Sequence, residues 1–230
     1  MKIGLMGLEH LPEGKMKYKD DKLNKLVEKF SPKKISPFFA EFIRGDLVNA
    51  DCIAVQEGMA LDLLIQDMEK MEARIANSKD EKEKQLVKKC LEQLENEVPL
   101  CDVDFTEDEI VLMRGLAPIS LKPTLIVGGD IVDNSLIEAA IEKSGTIFFY
   151  TAGPKEVHAW PIKKDSDAVT CAGKIHSDLA RGFIKAEIVN FDDFVKGHNM
   201  QEAKNNGLVK LVDRDYIVKY GDILDIRFNV

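Results

Sequence analysis

The spacing of apolar positions along this chain shifts repeatedly, and each shift marks an element. Ile3 to Leu8 is a short apolar run carrying a glycine, as a strand buried in a parallel sheet requires. Leu23, Leu26, Val27 and Phe30 then follow helical spacing and stop at Ser31-Pro32. A second short helix is read over Pro37 to Arg44, ended by Gly45, and Asp51 to Gln56 is a second strand. From Ala60 to Ala76 the apolar positions Leu61, Leu64, Ile65, Met68, Met71 and Ile75 form a helical stripe. Asn77 to Asp80 interrupts it, and Leu86, Val87, Cys90, Leu91 and Leu94 restart the period before Pro99. Two such stripes joined by a polar turn hide each other by packing antiparallel, which predicts a helical hairpin over 59–97. Its charged and methionine-bearing faces suit either a partner surface or a solvated exterior around an internal seam.

Beyond the hairpin, Thr106 and Glu109 have the spacing of a capping box for a helix through Leu116. Thr124 to Val127 is a third buried strand, ending in Gly128-Gly129-Asp130, and Ser135 to Lys143 is a helix closed by Gly145. Strands alternating with helices to this point predict an open α/β sheet. After Thr146 strands dominate. Residues 146–162 read as a hairpin turning at Ala152-Gly153-Pro154, residues 182–191 as a strand, residues 192–196 and 200–207 as short helical pieces, and residues 209–230 as strand, turn and strand. The expected organisation is an α/β core over 1–145 and a small α+β domain over 146–230.

Composition changes this picture little: at 45% hydrophobic and 31% charged, the chain reads as an ordinary globular protein. No apolar run approaches the roughly 20 residues of a membrane span, and no signal-peptide pattern is visible. Cys52, Cys90, Cys101 and Cys171 are scattered singly, without metal-ligand spacing, so reduced structural thiols, no metal and a cytoplasmic location are expected. Charge matters more for where it lies. Residues 1–150 hold 20 cationic and 28 acidic side chains, whereas residues 151–230 hold 12 of each. Lys15 to Lys34 is a basic island of eight lysines against Asp20, Asp21 and Glu28.

The first strand runs into Gly14-Lys15, which raises the question of a phosphate-binding loop. Such a loop, G-x-x-x-x-G-K-[ST], wraps phosphates in backbone N–H groups, adds a lysine cation and ligates magnesium through a hydroxyl. Here six residues separate Gly7 from Gly14, Met16 stands where the hydroxyl belongs, and Pro12 removes an N–H. A thioether does not replace a hard oxygen ligand on magnesium. The strand fits and the loop does not.

The C-terminal blocks FFYTAGPKEVHAWPI, AGKIHSDLARGFIKAEIVNFDDFV and DYIVKYGDILDIRFNV resemble the TGS-type domain that closes the Obg-like, YchF-type ATPases. Over about residues 147–230 the resemblance implies a β-grasp domain in a cytoplasmic protein linked to ribosomes and RNA. The N-terminal part is similar to the same family with deletions: KIGLMGL stands at the first strand, FFAEFIRGDLVNADCIAVQ after the second switch, the hairpin at the helical insertion, and LKPTLIVGG before base recognition. Departures from the family cluster where nucleotide would be held, the phosphate loop among them. No D-x-x-G precedes the hairpin, and Gly128-Gly129-Asp130-Ile131 stands where the family has Asn-x-x-Glu. Gly7, Gly14, Lys15, Gly128 and Gly129 are therefore read as vestiges of a nucleotide site, with no catalytic residue and no cofactor.

For binding, His158 and Trp160 alternate on one strand, followed by Lys163 and Lys164, a pattern that stacks a base and neutralises phosphate. Trp160 serves equally by packing on a helix. His176, two residues before Asp178, suits an RNA-facing role or a structural one at a helix end. His10 and His198 have no partner visible in sequence. The combined expectation is a non-catalytic pseudo-ATPase that binds RNA, a ribosome or a translation-linked protein. A divergent ATP or GTP hydrolase and a metabolite-sensing β-grasp module are the alternatives.

Overall fold

The computed structural model describes residues 1–197 and 199–229, so His198 lies outside the described residues. In chain order the elements begin with β1 (Lys2–Met6), β2 (Gly14–Lys17), α1 (Asp21–Phe30), β3 (Lys34–Ser36), β4 (Phe39–Ile43) and β5 (Cys52–Gln56). Next come α2 (Ala60–Asn77), α3 (Glu81–Glu95), α4 (Glu107–Leu116), β6 (Thr124–Val127) and α5 (Asp133–Lys143). The chain continues through β7 (Thr146–Ala152), β8 (Glu156–Lys163), α6 (Ala168–Ile175), α7 (Ser177–Arg181) and β9 (Phe183–Asn190). It ends with α8 (Phe191–Phe194), α9 (Met200–Asn205), β10 (Lys210–Val212) and β11 (Asp222–Phe228). The mixed α/β class stands as read. Two compact units emerge, Met1–Met16 with Ala40–Ser144, and Lys17–Phe39 with Gly145–Val230. The single cut expected near Gly145 thus misses the segment 17–39, which belongs with the C-terminal unit.

The first unit is built on a five-stranded sheet ordered β2-β4-β1-β5-β6, in which β1 runs parallel to β4 and β5, and β5 parallel to β6. All of β5 but Gln56 is buried, as a strand covered on both faces must be. Ile53 and Val55 pack with Ala60 and Leu63 at the start of α2, while Leu136, Ile137 and Ala140 are the buried side of α5. The helical hairpin forms over α2 and α3, but of the expected α2 stripe Leu64 and Met71 are buried while Leu61 and Ile65 are exposed, the buried side being turned toward Ala60, Leu63 and Asp67. Met71, Leu86, Val87, Cys90 and Leu94 join Met113 of α4 in one buried cluster, so the seam is internal. Asp67, wholly buried, accepts N–H bonds from Ile119 and Ser120, each at 2.7 Å, and ties α2 to the turn before β6. The capping box at Thr106 and Glu109 is present in both directions.

One helix expected in this region is a strand. Residues 39–43 form β4, with Phe38, Ala40 and Phe42 buried and Phe39, Glu41 and Ile43 more exposed. That is period two, and three phenylalanines clustered in six residues had masked it.

The second unit is a six-stranded mixed sheet ordered β10-β9-β11-β7-β8-β3. Helices α6 and α7 cover one face, where Phe149, Ile162, Cys171, Ala172, Phe183 and Leu224 form the core. The segment 17–39 serves the other. Phe148 packs between Tyr18, stacked at 5.9 Å, and Phe38, edge-on at 5.1 Å, and Phe30 of α1 stacks on Phe194 of α8 at 5.7 Å. Asp20, the N-cap of α1, accepts from Leu23 N–H and from the buried Tyr150 hydroxyl at 2.8 Å. β3 then adds to β8 in parallel, Ile35 opposite Val157. Local sequence gives no sign of this crossing, because a three-residue strand has too little pattern to reveal its partner.

Candidate functional site

Ligands of parallel α/β sheets bind beyond the carboxyl ends of the strands. In the first unit that edge carries the loop 7–13 after β1, Arg44 after β4, Gln56 and Glu57 after β5, and the loop 128–131 after β6. The candidates Gly7, Gly128 and Gly129 do reach this edge. Gly7 and Gly129 adopt left-handed backbone, φ +73° and +71°, which favours glycine. His10 donates through Nε2–H to the Ile131 carbonyl at 2.9 Å, linking the first and last of these loops. Gly14 and Lys15 do not join them in a cradle. They lie in β2, an edge strand, so no helix N-terminus follows the loop and the lysine side chain is exposed on a strand.

The loop is turned the wrong way for phosphate. Arg44 Nη2 donates to the carbonyls of Leu8 at 2.8 Å and Leu11 at 2.7 Å, while its Nε and Nη1 face Glu9 and Glu13 at 3.5 and 3.4 Å. Leu8 and Leu11 bury their side chains beneath. A phosphate loop converges N–H groups on an anion; this one converges carbonyls on a cation supplied by the chain itself. A Cβ placed on Gly7 would lie 2.6 Å from Met59 Sδ and 3.0 Å from Gln56 Cβ, so this turn packs closely on side chains of the same chain. The loop has neither the glycine spacing nor the following hydroxyl of a phosphate-binding loop, and Lys15 stands on a strand. Among the described residues no group of three His, Cys, Asp or Glu side chains is placed to hold a metal. Burial pushes the thiols of Cys52 and Cys171 to about 12 and that of Cys90 to about 11, so these stay protonated and unreactive at neutral pH.

The binding candidates of the second unit divide into three places. His158 stacks on Trp160 with ring centroids 3.5 Å apart, and Phe149 lies parallel to Trp160 at 6.2 Å. The indole Nε1 donates to Thr151 Oγ1 at 3.0 Å, so both the polar handle and much of the ring are already engaged. Lys163 ends β8 and Lys164 follows it, about 10 to 13 Å from Trp160 at roughly 3.3 Å per residue. His176 sits at the junction of α6 and α7, where its Nδ1 accepts from Asp178 N–H at 3.2 Å and caps the shorter helix. These side chains do not form one site.

Lys33 and Lys34, the end of the basic island, form a different cluster with Lys155. Lys33 N–H and Lys34 N–H bond to the carbonyls of Pro154 and Lys155, which brings three lysines from two distant segments to one corner of the sheet. Glu156 receives Lys34 at 2.9 Å and the Ser36 hydroxyl at 2.7 Å, and both hold its carboxyl below the usual range. His158 Nδ1 lies 3.4 Å from the same carboxylate, yet burial lowers its pKa and outweighs that attraction. Lys33 and Lys155 remain exposed at the corner. The signal that would have found Arg44 is the alternation of residues 38–43. For the lysine corner, nothing short of the β3 to β8 pairing suffices.

A family model, YchF-GTPase_C, described as a protein of unknown function (DUF933), matches residues 146–229. The Ribosome-binding ATPase YchF of Bacillus subtilis (strain 168) is 28% identical over 319 aligned positions, covering 92% of this chain and 87% of the relative. Since 319 positions exceed the 230 residues here, that match runs through long gaps in this chain. The protein of the same name from Escherichia coli O157:H7 is 30% identical over 200 residues, covering 63% of this chain and 55% of the relative. Its counterpart from Mycoplasma genitalium is 43% identical over 97 residues, covering 42% of this chain and 26% of the relative. The solved Schizosaccharomyces pombe YchF GTPase superposes with a TM-score of 0.78 at 15% identity over 99% of this chain and 97% of that one, a likeness of fold.

Proposed function

This chain belongs to the YchF-type, Obg-like ATPase family, and from that membership we propose that it is a ribosome-associated binding protein that no longer handles nucleotide. The observation that carries this reading is the Arg44 clasp, in which the loop at the phosphate position presents carbonyls to a guanidinium. Charge-assisted bonds to phosphate are worth about 1.5 to 3 kcal/mol each, and about 1.4 kcal/mol is a factor of ten in affinity. Losing the loop, the magnesium hydroxyl, the switch Asp and the base reader removes several such terms together. Phosphoryl transfer loses more, since it depends on positioning and charge around the metal.

For the retained role, the names of the bacterial relatives supply the partner class, a ribosome. The second unit offers exposed cations at Lys33 and Lys155 on one corner and Lys163 and Lys164 at the end of β8. Contacts of this kind to phosphate are modest singly and weaken with salt. The test has two arms. Millimolar ATP or GTP with magnesium should leave the melting temperature unchanged and yield no phosphate; micromolar binding or steady phosphate release would return the chain to the hydrolases. Co-sedimentation with ribosomes at low salt should succeed, fall as salt rises, and fall further for the Lys33→Glu, Lys155→Glu chain. Absence of co-sedimentation at low salt would sink the ribosomal assignment while leaving the nucleotide arm standing.

A further inference from the structure

In the second unit β11 outruns the strand beside it. Its pairing with β9 extends from Asp222 opposite Asn190 to Phe228 opposite Phe183. Its parallel pairing with β7 falls at Ile223 opposite Tyr150. One-residue steps from that pair set Ala152, the last residue of β7, level with Asp225, after which the chain turns back through Gly153 and Pro154. Beyond Asp225, then, no described strand accompanies β11 on this side. A groove of about 690 Å³ occupies the step, walled by Trp160, Ile175, Leu179, Ile226 and Phe228, with the turn after Thr151 at its foot.

We infer that this step docks an extended segment of a partner polypeptide, which adds to β11 as a strand along the line that β7 leaves. Three observations select that occupant. A strand edge carries obligatory N–H and C=O groups in an alternating row, and a second extended backbone is the partner that satisfies such a row. Three residues, Ile226 to Phe228, span about 10 Å at roughly 3.3 Å per residue, enough for two inward side chains of an added strand to enter the apolar trough. The charges that defend an exposed edge are drawn elsewhere: Arg227 is paired with the buried Glu187, while Ile226 and the 48%-exposed Phe228 face the groove. Lys155, Glu156 and Asp225 line the same groove; Glu156 is already held by Lys34, so the exposed Asp225 is the carboxylate left to meet a basic residue flanking the apolar ones. The partner segment is therefore extended, apolar at alternate positions and basic at one end. This inference does not rest on the nucleotide or ribosome readings, and Lys155, a cation assigned to the ribosome above, lies at the rim of the same groove.

A phage-displayed heptapeptide library panned on the full chain tests it. Enriched peptides should alternate apolar with polar residues, carry Lys or Arg, and lack proline in the middle. A synthetic copy of the leading peptide should lose at least about tenfold in affinity when alternate amides are N-methylated, with the intervening amides tolerant, the mark of a one-sided ladder. Phe228→Lys should cause a comparable loss without lowering the melting temperature, and Asp225→Lys, which leaves the packing alone, should weaken the peptides that carry a cation. The proposal is overturned by an absence of alternating peptides, by N-methyl effects without period two, or by equal binding to the Phe228→Lys chain. It is equally overturned by displacement of the peptide with an oligonucleotide, or by a self-association that Phe228→Lys abolishes, since the occupant would then be RNA or a second copy.

Discussion

Arg44 and Asp20 show how single side chains fix each unit. Arg44 satisfies the carbonyls of Leu8 and Leu11 with a charged donor. Arg44→Ala strands both, and the expected cost is about 1 to 3 kcal/mol in a denaturant melt, with no gain of nucleotide binding. Gain of ATP affinity in that variant would mean that the clasp hides a competent loop. Asp20 is buried, and desolvation raises its pKa against the bonds from Leu23 and Tyr150 that oppose the rise. Because the folded value lies above the unfolded one, the folded state holds the proton more tightly. Its contribution is complete below the ordinary carboxylate pKa of about 3.9 and is lost as pH rises through the folded value. Asn also caps a helix N-terminus and carries no charge to bury. Asp20→Asn should therefore gain on the wild type between pH 4 and pH 7; urea melts at both pH values measure the difference, and a change in the opposite direction contradicts the assignment.

At the scale of elements, periodicity was legible wherever it ran for several turns. The hairpin α2–α3, the capping box of α4 and the strands β5, β6 and β9 follow directly from spacing, because each buries a stripe that a local window contains. Short elements were not. β4 was read as a helix, and β3 has three residues, too few for a period to declare itself. The hairpin seam also carries a prediction. Met71 is fully buried among Leu86, Val87 and Cys90, so Met71→Ala should cost about 2 to 5 kcal/mol, whereas a similar change at the exposed Leu61 should cost far less. Equal losses at the two positions, followed by thermal melting, would place the seam elsewhere.

For the whole molecule, the decisive feature is that residues 17–39 leave the first unit and complete the second. Tyr18, Phe30 and Phe38 cover aromatic rings on one face of the second sheet, and Lys29 Nζ bonds to carbonyls at the end of α8. Replacing residues 21–36 with a flexible linker should lower the melting temperature and expose apolar surface to a dye such as ANS. A second unit that melts unchanged would show that the segment is an ornament. By itself the sequence determined the α/β class, the hairpin, the strand-rich C-terminal blocks and the family they point to, since burial stripes, caps and ordered motifs are written in neighbouring residues. Only the tertiary structure decided that the N-terminal loop grips an arginine, that lysines 33 and 155 share a corner, and that β11 runs on past the end of β7. Each of these depends on pairs of residues far apart in the chain, whose meeting is set by sheet order and packing, and no local pattern of side chains encodes it.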